Sequence, residues 1–209
     1  MKQKIKFDKY RVYNKGWTYE VLLFPKIEQM WAYDNFYESG FKDDLMIDGR
    51  NEAAESLTQA FAILATDPSK IIYYPIRSGE YNYHLVMSRP ELQLRQSDWF
   101  DIKPMLDKRH QTEKYVLHYD RKKLCDYYGK FIDGAWNEQA MEKKNRKIYR
   151  PKILGDTMFM AFPKNYCYQS HAELVKGLEK FQDTSREIAW WRFGYLNNDA
   201  YVKDEEKTE

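Results

Sequence analysis

Residues 71–88 constrain the fold more than any other stretch of this sequence. Two arms rich in β-branched and aromatic residues, 71–77 and 81–88, flank a short connection that contains Gly79. This composition predicts a β-hairpin, because glycine adopts the positive φ of a tight turn at little cost. Pro75 cannot donate a ladder hydrogen bond, so we expect the first arm to lie at a sheet edge or to end near that residue. We place this hairpin at the centre of a mixed sheet.

Several further segments show the periodicity of regular secondary structure. Strands are predicted at 3–13, 18–24, 114–120 and 153–162, and helices at 51–66, 121–132 and 135–144, with capping boxes opening helices at Ser170 and Thr184. Residues 26–41 fit a short helix or a packed loop. The order of these elements predicts an α+β fold with a mixed, largely antiparallel sheet built from hairpins and helices packed on it. We expect a single domain over 1–202 and a charged, frayed tail over 203–209.

Composition narrows the class of protein. The chain has 209 residues, of which 43% are hydrophobic and 32% charged, and these values are typical of a globular domain. No apolar run is long enough for a membrane span, and no signal peptide is recognisable, so we expect a cytoplasmic protein. Cys125 and Cys167 form no CxxC or Cys/His motif, which favours free thiols and argues against a zinc site.

The sharpest functional signal is a block of positive charge with a tyrosine inside it. Residues 143–152 contain six Lys or Arg and no acid, namely Lys143, Lys144, Arg146, Lys147, Arg150 and Lys152, and they surround Tyr149. Such cations neutralise phosphates and a tyrosine stacks on bases, so the block predicts nucleic-acid contact. The basic side of the first strand, with Tyr10 and Tyr13, is expected to extend the same groove. The alternative is a solvated helix end, where cations are favoured by the helix dipole.

An acidic and aromatic segment points to a protein partner instead. Residues 28–55 carry eight acids against two bases, together with Trp31, Tyr33, Phe36 and Tyr37. Aromatic anchors inside a charged rim are typical of protein interfaces. A helix with its aromatics inward and its acids outward is the simpler interpretation of the same pattern.

One enzymatic alternative uses two histidines in predicted strands. If those strands are neighbours, His84 and His118 would face one groove as an acid/base pair, with Lys114 or Arg121 stabilising phosphate charge. That arrangement predicts a metal-independent phosphodiesterase or nuclease. Ordinary hydrogen-bonded sheet histidines explain the same residues, and His171, in a capped helix, is expected to be structural.

Metal-dependent and nucleotide-driven chemistry receive little support. The carboxylates Asp43, Asp44, Asp48 and Asp156 match no known ligand loop, and the chain lacks P-loop, dinucleotide, zincin and EF-hand motifs. We therefore expect neither a cofactor nor a metal.

The leading hypothesis is a small non-catalytic protein that engages a nucleic acid or a nucleoprotein complex. Eighteen tyrosines, many lysines and no catalytic motif are also typical of accessory proteins of phages and plasmids, a group that includes inhibitors of host defence. Which nucleic acid or protein is bound is left open by the sequence.

Overall fold

The computed structural model of the protein describes residues 2–28, 30–34, 45–49, 51–76, 83–132, 149–150, 152–180, 189–192 and 202–203. The described strands are β1 (Lys2–Asn14), β2 (Trp17–Leu23), β3 (Met30–Asp34), β4 (Leu45–Gly49), β5 (Lys70–Tyr74), β6 (His84–Ser88), β7 (Tyr115–Asp120), β8 (Tyr149–Arg150), β9 (Lys152–Leu154), β10 (Thr157–Ala161), β11 (Ala189–Arg192) and β12 (Val202–Lys203). The described α-helices are α1 (Asn51–Thr66), α2 (Gln96–Ile102), α3 (Arg121–Ile132) and α4 (Lys164–Lys180).

The main sheet has the strand order β7-β1-β2-β5-β6-β10-β9. Its neighbours pair antiparallel except β2–β5 and β6–β10, which are parallel, so the predicted α+β class with a mixed, largely antiparallel sheet is confirmed. The predicted hairpin is β5–β6, with Ile72 opposite Met87, and it is central. β5 ends at Tyr74, so Pro75 terminates the strand and does not mark an edge.

Each face of the sheet carries its own hydrophobic core. On the first face Leu85 and Met87 of β6 pack with residues of α1 and α4. On the second face Val86 of β6 packs with Trp99 and Ile102 of α2. Burial on both faces explains why β6 reads as nearly continuous apolar sequence.

β1 changes the face that it buries halfway along its length. Its first half pairs with β7 and sends Phe7 into the first core, whereas its second half pairs with β2 and sends Tyr10 and Val12 into the second. Because alternate residues of a strand point to opposite faces, Lys4 and Lys6 lie on the second face, where both are exposed. The switch accounts for the sequence of residues 3–13, in which the apolar residues move from odd positions (Ile5 and Phe7) to even positions (Tyr10 and Val12).

Three elements differ from the sequence prediction. The single strand predicted at 153–162 is the hairpin β9–β10, because Gly155 adopts a φ of 59° and turns the chain. The helix predicted to open at Ser170 begins six residues earlier, at Lys164 after Pro163, so Ser170 is a buried mid-helix residue and not a cap. The residues 189–192, predicted as helical, form β11 against β4. The predicted helix at 135–144 and the cap at Thr184 lie outside the described residues.

A nearly buried ion network ties β1, β2 and β5 together. Glu20 Oε2 lies 2.6 Å from Lys70 Nζ, and Glu20 Oε1 lies 2.8 Å from Arg11 and 3.5 Å from Lys9. Burial alone raises the pKa of the Glu20 carboxyl, but hydrogen bonds from Lys70 and Arg11 outweigh it and lower that pKa to about 2. The Glu20 carboxylate therefore pairs with cations from β1 and β5 in a largely buried environment.

We predict that Glu20→Gln lowers the free energy of unfolding by about 3 kcal/mol, because Lys70 and Lys9 lose their shared counter-charge while remaining buried. Urea unfolding of the variant and the wild type measures this loss. Glu113→Gln is the matched control: Glu113 also faces Lys9 but its side chain is 87% exposed, so its removal should change stability by less than about 0.5 kcal/mol. Equal effects of the two changes would contradict the role given to Glu20.

A second buried polar cluster joins β7 to the two helices α3 and α4. Tyr119 Oη and His171 Nε2 are 2.8 Å apart, and Cys125 Sγ lies 3.9 Å from His171 Nδ1. Burial and, to a smaller extent, Arg121 lower the pKa of His171 from 6.5 to about 4. The imidazole is therefore neutral in the folded protein at neutral pH, and the structural role predicted for His171 fits this geometry.

Acid should weaken the fold through this histidine. Between pH 6.5 and 4 the unfolded chain protonates His171 while the folded protein does not, so the free energy of unfolding should fall by about 3 kcal/mol as the pH drops through that window. Urea unfolding at a series of pH values checks this, with His171→Gln as the comparison because it keeps a polar group and loses the titration. The wild type should show the steeper pH dependence, and equal slopes would contradict the assignment.

Candidate nucleic-acid and partner interfaces

The basic block predicted at 143–152 falls mostly outside the described residues. Lys143, Lys144, Arg146 and Lys147 are not described. Tyr149 and Arg150 lie in β8, which pairs with β12, and Lys152 begins β9 at one edge of the main sheet. The nucleic-acid contact predicted for this block therefore stays a prediction.

The acidic and aromatic segment is partly a strand. Trp31 and Tyr33 lie in β3, which pairs with β4 in a small sheet, while Phe36 and Tyr37 are outside the described residues. Ala32 joins the first core and its carbonyl accepts a 2.8 Å hydrogen bond from the backbone N–H of Tyr83. Over 30–34 the helix considered for this segment is therefore wrong, and Trp31 is half-buried beside the core.

The structure separates the two histidines of the enzymatic alternative. His84 lies on β6 and His118 on β7, with β1, β2 and β5 between them. Four strand spacings put their strands about 19 Å apart, and the second core lies between them. Lys114 forms an ion pair with Asp8 of β1, and Arg121 forms one with Glu55 of α1, so both cations already have acidic partners. The two imidazoles do not share a groove, so the predicted acid/base pair is not formed.

His84 belongs to a different polar cluster. Its Nε2 lies 3.5 Å from Asp156 Oδ2, and Lys103 Nζ lies 2.9 Å from the same oxygen. The buried Nδ1 of His84 has no hydrogen-bond partner among the described residues. Burial lowers the pKa of His84, Lys103 lowers it further, and Asp156 opposes both. The cluster links the turn after α2 to the β9–β10 turn and so keeps α2 over the second core.

The pKa of His84 should respond to its two neighbours in a defined way. Lys103→Met should raise that pKa, since a nearby cation no longer disfavours the imidazolium, and Asp156→Asn should lower it further. Titration of the imidazole resonances by NMR measures both shifts. An unchanged His84 titration in the two variants would show that Lys103 and Asp156 do not act on it.

One part of the second face is left uncovered and basic. Lys4 of β1 lies opposite His118 of β7, Lys6 lies opposite Val116, and all three polar side chains are exposed. We call Lys4, Lys6 and His118 the basic face. None of its members forms an ion pair with another residue in the described part of the chain, in contrast to Lys9 and Arg11 farther along the same strand. The sequence signal for it was the lysine at every second position of residues 2–6.

The other end of β1 carries exposed aromatic side chains. Tyr13, Trp17 and Phe100 are 69%, 63% and 54% exposed, and we call these three residues the aromatic tip. Tyr13 and Trp17 flank the turn between β1 and β2, while Phe100 lies on α2. The sequence analysis named Tyr13 only as part of a nucleic-acid groove and did not single out Trp17 or Phe100, although aromatic residues on both sides of a tight turn are difficult to bury together.

Asp101 attaches the turn to α2. Its carboxylate accepts a 3.3 Å hydrogen bond from Asn14 and lies 2.9 Å from Lys15 Nζ. Lys15 and Gly16 have positive φ values of 46° and 88°, as a tight two-residue turn requires. The aromatic tip is therefore a preorganised surface, with Phe100 adjacent to the residue that holds the turn.

Known proteins offer no analogy for these surfaces. No protein-family model matches the chain, and neither a curated protein nor a solved structure matches it. In the described ranges no group of three or more His, Cys, Asp or Glu residues is arranged to hold a metal ion. Over the same ranges no helix combines the length and the apolarity that crossing a membrane requires.

Proposed function

We propose that the protein binds nucleic acid, alone or within a nucleoprotein complex, through the phosphate backbone and without catalysis. The observation that carries the proposal is the row of Lys4, Lys6 and His118 on an uncovered sheet face. Such a row presents positive charge and hydrogen-bond donors in a fixed geometry on a rigid element. Phosphates are the usual ligands of this arrangement.

Which cations can bind phosphate depends on whether they already pair with an acid within the fold. Lys9, Arg11 and Lys70 all pair with Glu20, and Lys9 and Lys70 are also buried, so these cations are already engaged within the fold. Lys4 and Lys6 are exposed and have no acidic partner among the described residues, so their counter-ions come from solution. Binding a phosphate to them releases those counter-ions, and this release is the main source of non-specific affinity for nucleic acid.

The block at 143–152 enters the proposal as a second contact. Lys152 starts β9, at the sheet edge opposite β7, and five strand spacings separate β9 from β1 by about 24 Å. Lys152 therefore lies too far from the basic face to form one compact site with it, and a polymer that touched both would have to cross the sheet. This geometry suits an extended nucleic acid better than a small phosphorylated ligand.

In this proposal the protein acts by occupying its target, as accessory proteins of phages and plasmids do when they inhibit a host-defence complex. The acidic and aromatic residues near Trp31 are then the proposed contact for the protein component of a nucleoprotein target.

The double variant Lys4→Glu/Lys6→Glu should weaken binding to labelled RNA or DNA and reduce the slope of log K against log salt by about 2, since two phosphate contacts are lost. Fluorescence anisotropy over a salt series measures both quantities. The control is Lys176→Glu, an exposed position on α4, which packs on the first face. It changes a charge of the same type and should leave the slope unaltered.

Two outcomes would overturn the role of the basic face. One is binding that is insensitive to salt in the wild type. The other is an unchanged slope in the Lys4→Glu/Lys6→Glu variant together with a reduced slope when Lys144, Arg146 and Lys147 are changed to Gln, which would move the contact to the 143–152 block. Cleavage of the labelled strand would contradict the non-catalytic part of the proposal.

A further inference from the structure

The large apolar side chains that remain exposed in the described part of the chain lie around one end of the β1–β2 ribbon, with Trp17 on its α2 side and Tyr13 on the reverse side. They are the three members of the aromatic tip, and they lie within one turn and the helix that supports it. Aromatic side chains bury 150–250 Å² each, so the exposed fractions of these three amount to roughly 400 Å². This area is divided between the two faces of the ribbon, and the concentration of exposed aromatic side chains at one turn makes the turn a candidate interaction site.

The two strands that carry the tip also have unpaired edges. β2 pairs with β5 only from Glu20 onward, so in the described structure residues 17–19 have no strand on the side away from β1. The β1–β2 ribbon thus projects beyond the sheet with open N–H and C=O groups. An open edge of this kind pairs with another strand when one is presented to it.

The charges around the tip argue against phosphate as its ligand. Lys15 is paired with Asp101, and Arg11 is paired with Glu20, so neither cation is free to release counter-ions. The surroundings of the tip are close to neutral, and the whole chain carries a formal net charge of only +2. A neutral aromatic surface can meet an identical copy of itself without like-charge repulsion, whereas the basic face cannot.

We propose that the aromatic tip is the twofold interface of a homodimer, in which the edges of two β1–β2 ribbons pair antiparallel near Thr18. Alternation places Trp17 on the α2 side of the ribbon and Tyr13 on the reverse side. A second ribbon alongside the first buries aromatic surface on both sides, with Phe100 completing the α2 side. The aromatic area of each copy is about half of the roughly 800 Å² that each partner contributes to a standard interface, and the ribbon edge and ion-paired rim supply the remainder.

The antiparallel twofold arrangement follows from the chemistry of the edge. In a twofold antiparallel pair of identical strands, residue i of one copy faces residue j of the other and j faces i, so one sequence satisfies both sides of the interface. A rigid turn held by Asp101 requires little ordering upon association, which lowers the entropic cost of forming the dimer.

Sedimentation equilibrium on the pure full-length chain over a wide range of concentration tests this inference. The wild type should approach the mass of two chains, and Trp17→Lys should weaken association by about 30-fold or more, as expected for a central aromatic anchor. Gln3→Lys is the matched control, since it adds the same charge at an exposed position near the opposite end of β1, and it should associate like the wild type. Circular dichroism of each variant shows whether the fold is retained.

A cross-linking experiment tests the position of the twofold axis. Thr18→Cys should form a covalent dimer under mild oxidation, while Lys26→Cys, at another exposed position, should not. A wild type that stays monomeric at all concentrations, or a Trp17→Lys variant that associates as well as the wild type, would overturn the proposal. A monomer whose binding to single-stranded oligonucleotides depends on Trp17 would also overturn it, and would assign the tip to base stacking.

The two proposals fail independently. The Lys4→Glu/Lys6→Glu variant should leave the dimer unchanged, because the two surfaces lie about 30 Å apart along β1. Loss of nucleic-acid binding with an intact dimer would therefore concern only the basic face. Loss of the dimer with intact nucleic-acid binding would concern only the aromatic tip.

Discussion

The pairing of β5 with β6, buried on both faces, is the constraint on which the rest of the structure depends. Ile72 and Met87 face the core under α1 and α4, while Tyr73 and Val86 face the core under α2. Because both sides of the central strands are covered by apolar packing, no binding surface can form over the middle of the sheet. Exposed functional groups are therefore confined to the ends and edges, where β1 carries both candidate surfaces.

The contrast between paired and unpaired cations along β1 separates structural from interactive charge. Lys9 and Arg11 share Glu20 with Lys70 and stabilise the strand arrangement, whereas Lys4 and Lys6 have no such partner among the described residues. The neighbouring strand accounts for this difference: Arg11 lies opposite Glu20 of β2, whereas Lys4 and Lys6 lie opposite His118 and Val116 of β7. A surface for phosphate and a neutral aromatic surface can thus occupy opposite ends of one strand.

The elements predicted well are those determined by local chemistry. The hairpins β1–β2 and β5–β6 and the helices α1 and α3 follow from alternation, turn residues and helical spacing within short windows. The errors arise where two signals compete. The apolar residues on both sides of Gly155 favoured one continuous strand over 153–162, and the turn at Gly155 was not predicted. The capping-box pattern at Ser170 favoured a helix start there, whereas α4 begins directly after Pro163. Trp190 and Trp191 joined β11 because β4 offers an edge that no local pattern reveals.

The sequence by itself determined most of the helices and strands, the α+β class and the blocks of charge, since each of these depends on residues close together in the chain. Only the tertiary structure decided that His84 and His118 lie four strands apart, that Lys9 pairs with Glu20 while Lys4 and Lys6 have no ion pair among the described residues, and that Trp17 is exposed. The physical reason is that strand order and burial are set by long-range packing of apolar faces, and the same alternating pattern is compatible with many neighbours.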